Sequence, residues 1–106
     1  MADKKNYMEL VMDISKRNLK KVPEEFRTKK ICRRAVLQYS RNLKFVPDQK
    51  KDYEMCFEAV NSNAFNIKYV PNEFLDFEIA KIAITKCPSS IQYIYNDEIL
   101  KQLSNE

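Results

Sequence analysis

Apolar residues along this chain come in pairs spaced four apart, as in Ile31, Cys32, Ala35 and Val36. The pattern returns 24 residues later at Met55, Cys56, Ala59 and Val60, and again at Ile79, Ala80, Ala83 and Ile84. Positions i, i+1, i+4 and i+5 make one face of an α-helix and cannot make one face of a strand, whose side chains alternate. Each block is therefore predicted to hold a helix of about three turns. Just ahead of these helices Thr28, Asp52 and Asp76 share a column. A short oxygen-bearing side chain there accepts from the otherwise unpaired first N–H groups, which predicts N-caps.

Between the helices the chain writes "NLKKVP" at 18–23, "NLKFVP" at 42–47 and "NIKYVP" at 66–71. Asn18, Asn42, Asn66 and Ser90 align, followed by Leu19, Leu43, Ile67 and Ile91, then Val22, Val46, Val70 and Ile94. Pro23, Pro47 and Pro71 follow, and Tyr95 breaks that column. Blocks 18–41 and 42–65 share eight identical positions of 24 without a gap. Proline biases the preceding valine away from helical geometry and suits the start of a short turn, here bearing acidic or amide residues such as Glu24 and Glu25. Each unit thus reads as a short helical turn followed by a longer helix.

A unit of this size cannot bury its apolar stripe alone, so neighbours must stack and share one continuous core. The predicted fold class is all-α: a small α-solenoid of about four 24-residue helical repeats. It forms a single helical-repeat domain over 1–106, with units at 1–17 (partial), 18–41, 42–65, 66–89 and 90–106 (partial cap). Tyr7, Met8, Val11 and Met12 carry the columns into the first unit. Ala35, Ala59 and Ala83 let helices approach closely, and Ile99, Leu100 and Leu103 cover the far end of the core.

The corner "LKKVPEEFRTKKICRRAV" and its successor "NLKFVPDQKKDYEMCFEAV" resemble the units of an uncharacterised family of short helical repeats from bacteria and giant viruses, the domain of unknown function 4116. The resemblance covers residues 7–95, and a Leu-Lys-x-Val-Pro corner followed by a Cys-x-x-Ala-Val helix carries it. It implies a helical-repeat fold and brings no activity or catalytic residues with it. Family units often have an Asn-Gly turn after the long helix, where this chain has "SNAF" and "CPSS".

Composition removes several functions. The 106 residues include no glycine and no histidine. Phosphate loops need backbone positions bare of side chains, so kinase-like and dinucleotide-binding readings fall. Without imidazole there is no ordinary catalytic triad and no His-containing zinc site. Three cysteines with no Cys-x-x-Cys spacing make a weak metal signal. Cys32 and Cys56 sit at equivalent points of neighbouring helices, too far apart for a disulfide, and read as buried inert thiols. Carboxylate pairs such as Glu54 with Glu58, or Asp97 with Glu98, fall on exposed positions. The chain is read as no enzyme, with no catalytic residues, no cofactor and no metal. No stretch approaches the roughly 20 apolar residues of a membrane span, and the expected location is cytoplasmic.

Two surfaces are candidates for binding a partner. The corner columns Lys20, Lys44, Lys68 and Gln92, then Lys21, Phe45, Tyr69 and Tyr93, place a lysine row beside an aromatic row, suited to a partner peptide or a single strand. The plainer reading is that the rings pack over the joints between units. The second candidate comes from charge. Residues 1–45 hold 13 Lys/Arg against 5 Asp/Glu, net +8, and residues 46–106 hold 6 against 10, net −4. Lys29, Lys30, Arg33 and Arg34 in "RTKKICRR" are spaced i, i+4 on the face away from Ile31 and Cys32. They form either a patch for nucleic acid or an acidic protein, or a solvated helix face. The expected function is a non-catalytic macromolecular interaction module, protein-binding first. The alternative is nucleic-acid binding, or blocking of a nucleic-acid site, through the basic half. The opposite poles also allow head-to-tail self-association.

Overall fold

Each predicted helix forms where its cap begins it. The computed structural model describes residues 18–105, and the columns of Tyr7, Met8, Val11 and Met12 lie outside them. Helix α1 (Lys29–Gln38), α2 (Tyr53–Ser62) and α3 (Phe77–Lys86) have 10 residues each. Thr28 accepts from the Ile31 N–H at 3.2 Å, Asp52 from Met55 at 2.7 Å and Asp76 from Ile79 at 3.0 Å. Among the described residues every regular element is helical and there is no strand. No helix among them is long and apolar enough to cross a membrane.

The corners hold more structure than a plain turn. Ser40–Phe45, Ala64–Tyr69 and Pro88–Tyr93 are each six-residue 3-10 helices, and Asn18–Lys21 is a shorter one. Each six-residue corner is reached through one extended residue: Tyr39 (φ −151°, ψ 109°), Asn63 (−151°, 110°) or Cys87 (−151°, 95°). The N–H of that residue still bonds back into the helix it leaves, to Ala35, Ala59 or Ala83. Its carbonyl then accepts the N–H of the third corner residue, Asn42, Asn66 or Ser90. No described residue has positive φ, so the chain turns every corner without the left-handed position that glycine serves elsewhere.

The aligned asparagines explain why the corners sit where they do. Asn42 Nδ2 donates to the Ala35 carbonyl at 2.9 Å, and Asn66 Nδ2 to the Ala59 carbonyl at 3.0 Å. Both side chains are buried and tie each corner to the last turn of the preceding helix. Val46 (φ −82°, ψ 125°) and Val70 (−86°, 121°) leave the corners extended, as the following prolines demand. Pro23 and Pro47 stand just ahead of further 3-10 turns, Glu24–Phe26 and Asp48–Lys50, with the proline carbonyl accepting from Phe26 or Lys50.

Inside, the corner residues Leu19, Val22, Leu43, Val46, Ile67 and Val70 meet the helix residues Cys32, Ala35, Met55, Cys56, Ala59, Ile79, Ala80 and Ala83 in one cluster. Ala35, Ala59, Ala80 and Ala83 are all fully buried, and α1 packs on α2, α2 on α3 and α3 on α4 (Asp97–Ser104). The last segment departs from the period. Asn96 caps α4, accepting from Ile99 at 3.1 Å, four residues earlier than the 24-residue spacing from Asp76 requires. The turn that follows proline elsewhere is missing after Tyr95. This shift brings Ile99, Leu100 and Leu103 to the places that Ile79, Ala80 and Ala83 hold in α3. Ile99 is buried and the two leucines are half-buried against the core.

Cys32 and Cys56 are fully buried free thiols. Burial pushes each up to about 11, against the opposing pull of Lys50 and Arg27 on Cys32 and of Lys51 on Cys56. Cys87, half-buried, is lowered instead, chiefly by its contact with the Ser89 hydroxyl at 3.2 Å. Since the thiolate is the reactive form, a thiol reagent added to native protein at neutral pH should modify Cys87 promptly. Cys32 and Cys56 should react only after denaturant is added. Mass spectrometry of the labelled peptides checks this, and prompt labelling of either buried thiol in folded protein contradicts the core assignment.

Candidate binding cleft

Side chains three apart eclipse along a 3-10 helix. In Ser40–Phe45 this sets Arg41 in line with Lys44, and in Ala64–Tyr69 it sets Phe65 in line with Lys68. The two corners lie side by side, and between them opens a cleft of about 330 Å³ lined by Arg41, Lys44, Phe45, Phe65, Asn66, Lys68 and Tyr69. Each cation stands over a ring: Arg41 over Phe65 at 6.0 Å, Lys44 over Phe45 at 5.7 Å and Lys68 over Tyr69 at 5.4 Å from the centroid. Phe45 and Tyr69 are half-buried and pack on the core, whereas Phe65 is 54% exposed. Phe45 and Tyr69 therefore pack on the core and still form the floor of an open site.

Of the corner residues named from sequence, Lys44, Phe45, Lys68 and Tyr69 come together here. Lys20, exposed on the first corner, and Tyr93, half-buried on the last, lie outside the cleft. The cationic row ends at the last corner, where Gln92 and Ser89 replace lysine and arginine and Gln92 Nε2 donates to the Ser89 carbonyl at 3.1 Å. Arg41 and Phe65 escaped the sequence reading. They share a column, and a backward step of three from each lysine would have found them, had the corner been recognised as helical from Ser40 and Ala64 onward.

The basic set on α1 divides. Lys29 Nζ and Arg33 Nη2 each lie 3.3 Å from Asp52 Oδ2, and Arg33 Nη1 lies 3.4 Å from Glu54. Burial raises the Asp52 carboxyl, but the Met55 N–H it accepts and the Lys29 and Arg33 cations outweigh this and hold it below its ordinary value. Exposed pairs of this kind contribute about 0–1 kcal/mol, so they orient the two cations more than they stabilise the fold. Lys30 and Arg34 are exposed on the same helix and take part in none of these pairs.

A further set of cations bonds to backbone carbonyls. Arg27 spans one joint, donating to the Val22 carbonyl and to the Phe45 carbonyl, each at 2.8 Å. Lys51, in the same column, donates to the Tyr69 carbonyl at 2.6 Å and pairs with Asp48 at 2.9 Å. These bonds fasten the last residue of each corner that floors the cleft. The third member of the column is Leu75, which offers no donor.

Neither a curated protein nor a solved structure matches the chain. One family does match, over residues 52–105, from the cap of α2 to the end of α4. On that half of its length, the chain belongs to the family described as a domain of unknown function, DUF4116.

Proposed function

We propose that the chain is a non-catalytic interaction module, a small α-solenoid of about four 24-residue units that binds a partner protein along the edge formed by its corners. The observation that carries this reading is the cleft itself: three cations and three rings converge on one edge from two successive corners, and among the described residues no carboxylate lines it. Aromatic residues and arginine are what protein interfaces favour, and a few such anchors supply most of the binding energy. The linear contacts of each helix with the next, and the recurrence of cap, corner and asparagine tie at one spacing, support the stacked architecture. The nucleic-acid reading has less support, because Lys29 and Arg33 are already held on Asp52 and Glu54.

The test is a pull-down with the purified chain, with and without nuclease, in parallel with a double variant Phe65→Ala, Lys68→Gln. The expected result is a partner retained after nuclease and depleted about tenfold or more on the variant. Capture that vanishes with nuclease overturns the reading in favour of nucleic acid. Capture equal on both proteins removes the cleft as the site.

A further inference from the structure

Resting on that reading and taking it further, we infer that the cleft between the two middle corners receives an acidic peptide segment of the partner. Its carboxylates are taken by Arg41, Lys44 and Lys68, and an apolar side chain rests against Phe65. Charge is the first argument. Elsewhere the exposed Lys29 and Arg33 and the buried Lys51 have carboxylates of this chain within 3.4 Å, whereas Lys30 and Arg34 take part in none of these pairs. The three cations of the cleft sit over rings, with no carboxylate in its lining among the described residues. A ring face holds a cation in place without neutralising it. The cleft therefore presents positive charge that is already positioned, and a ligand that supplies carboxylates loses less side-chain freedom on binding.

The same contacts argue against a nucleic-acid strand. Single strands bind protein by laying bases on aromatic faces, and here Phe45, Phe65 and Tyr69 each have a cation over the ring. Phe45 and Tyr69 are further committed to the core. A base stacked on Phe45 or Tyr69 would have to displace the cations that should be holding its phosphates, whereas Phe65 has further surface open. A carboxylate meets the cations where they stand. Phe65, 54% exposed at the cleft, gives an apolar side chain a place to desolvate, and a volume of about 330 Å³ lies at the small end of ligand sites, enough for a few side chains of an extended segment.

The experiment is fluorescence anisotropy with three labelled probes: a short glutamate-rich peptide with one central leucine, the same peptide with glutamine in place of glutamate, and oligothymidylate. The acidic peptide should bind most tightly, and its affinity should fall as salt rises. The double variant Lys44→Gln, Lys68→Gln should weaken binding about tenfold or more and flatten the salt dependence. Phe65→Ala should weaken it with the salt dependence retained, and Lys101→Gln, an exposed change on α4, should leave it unaltered. Oligothymidylate binding more tightly than the acidic peptide, equal binding of the glutamine peptide, or no peptide binding at all overturns the inference. If cleft variants lose the captured partner while no acidic peptide binds, the acidic assignment falls and the protein-binding reading stands.

Discussion

Replacing Ala59 with leucine should lower the stability of the protein by about 1–3 kcal/mol, because the added side chain overpacks a joint that has no room for it. Ala59 is fully buried in the face of α2 that meets its neighbours. Its carbonyl accepts from the Asn63 N–H at 2.9 Å and from Asn66 Nδ2 at 3.0 Å. A leucine there cannot be accommodated by sliding the corner away, since the same residue anchors the corner. Asn61→Leu, at an exposed position of the same helix, places the same leucine side chain outside the core and should change stability by no more than about 0.5 kcal/mol. Urea denaturation of the two variants against the parent makes the comparison. A midpoint for Ala59→Leu equal to that of the parent would mean that the helices do not meet through their small residues.

What the sequence made legible and what it did not divide along a physical line. Helix α1, α2 and α3 with their caps were readable because both signals are written in side-chain identity: the four-residue spacing of Ile31, Cys32, Ala35 and Val36, and the oxygen of Thr28, Asp52 or Asp76 three residues before the N–H it accepts. The helical character of Ser40–Phe45 and Ala64–Tyr69 was not readable. It depends on one extended residue, Tyr39 or Asn63, and on an asparagine that bonds to a backbone carbonyl. Every residue carries a carbonyl, so nothing in the sequence marks Ala35 or Ala59 as the acceptor. Missing the 3-10 geometry meant missing Arg41 and Phe65, although the columns exposed Lys44, Phe45, Lys68 and Tyr69. The division of the basic set has the same origin. Lys29, Lys30, Arg33 and Arg34 look alike within block 18–41, and only the packing of the next block brings Asp52 and Glu54 to two of them.

The cations that bond to carbonyls across the joints lead to the second large effect. Lys51→Met should cost about 1.5–3 kcal/mol, the range for a hydrogen bond to a charged group. Met keeps most of the aliphatic stem and fills the buried space, but it leaves the Tyr69 carbonyl without the donor that now sits 2.6 Å away. Asp48, the other partner, has a side chain 78% exposed and is solvated by water once the lysine is gone, so little of the loss comes from that pair. Lys51→Arg is the informative companion, because Arg27 already makes the equivalent bond to Phe45. It should recover much of the stability that Lys51→Met loses. Leu75 occupies the third place in this column and packs partly buried against the core. The joint it spans is thus held by apolar contact without a donor to the corner beyond it. Hydrogen exchange should accordingly show the segment beyond Leu75, including α4, opening at lower free energy than α2 in the parent protein. In Lys51→Met the exchange of the corner Ala64–Tyr69 should rise towards the rate of Pro88–Tyr93, since both joints would then lack the same bond. An unchanged exchange pattern in that variant would show that Lys51 is seated at the joint without fastening it.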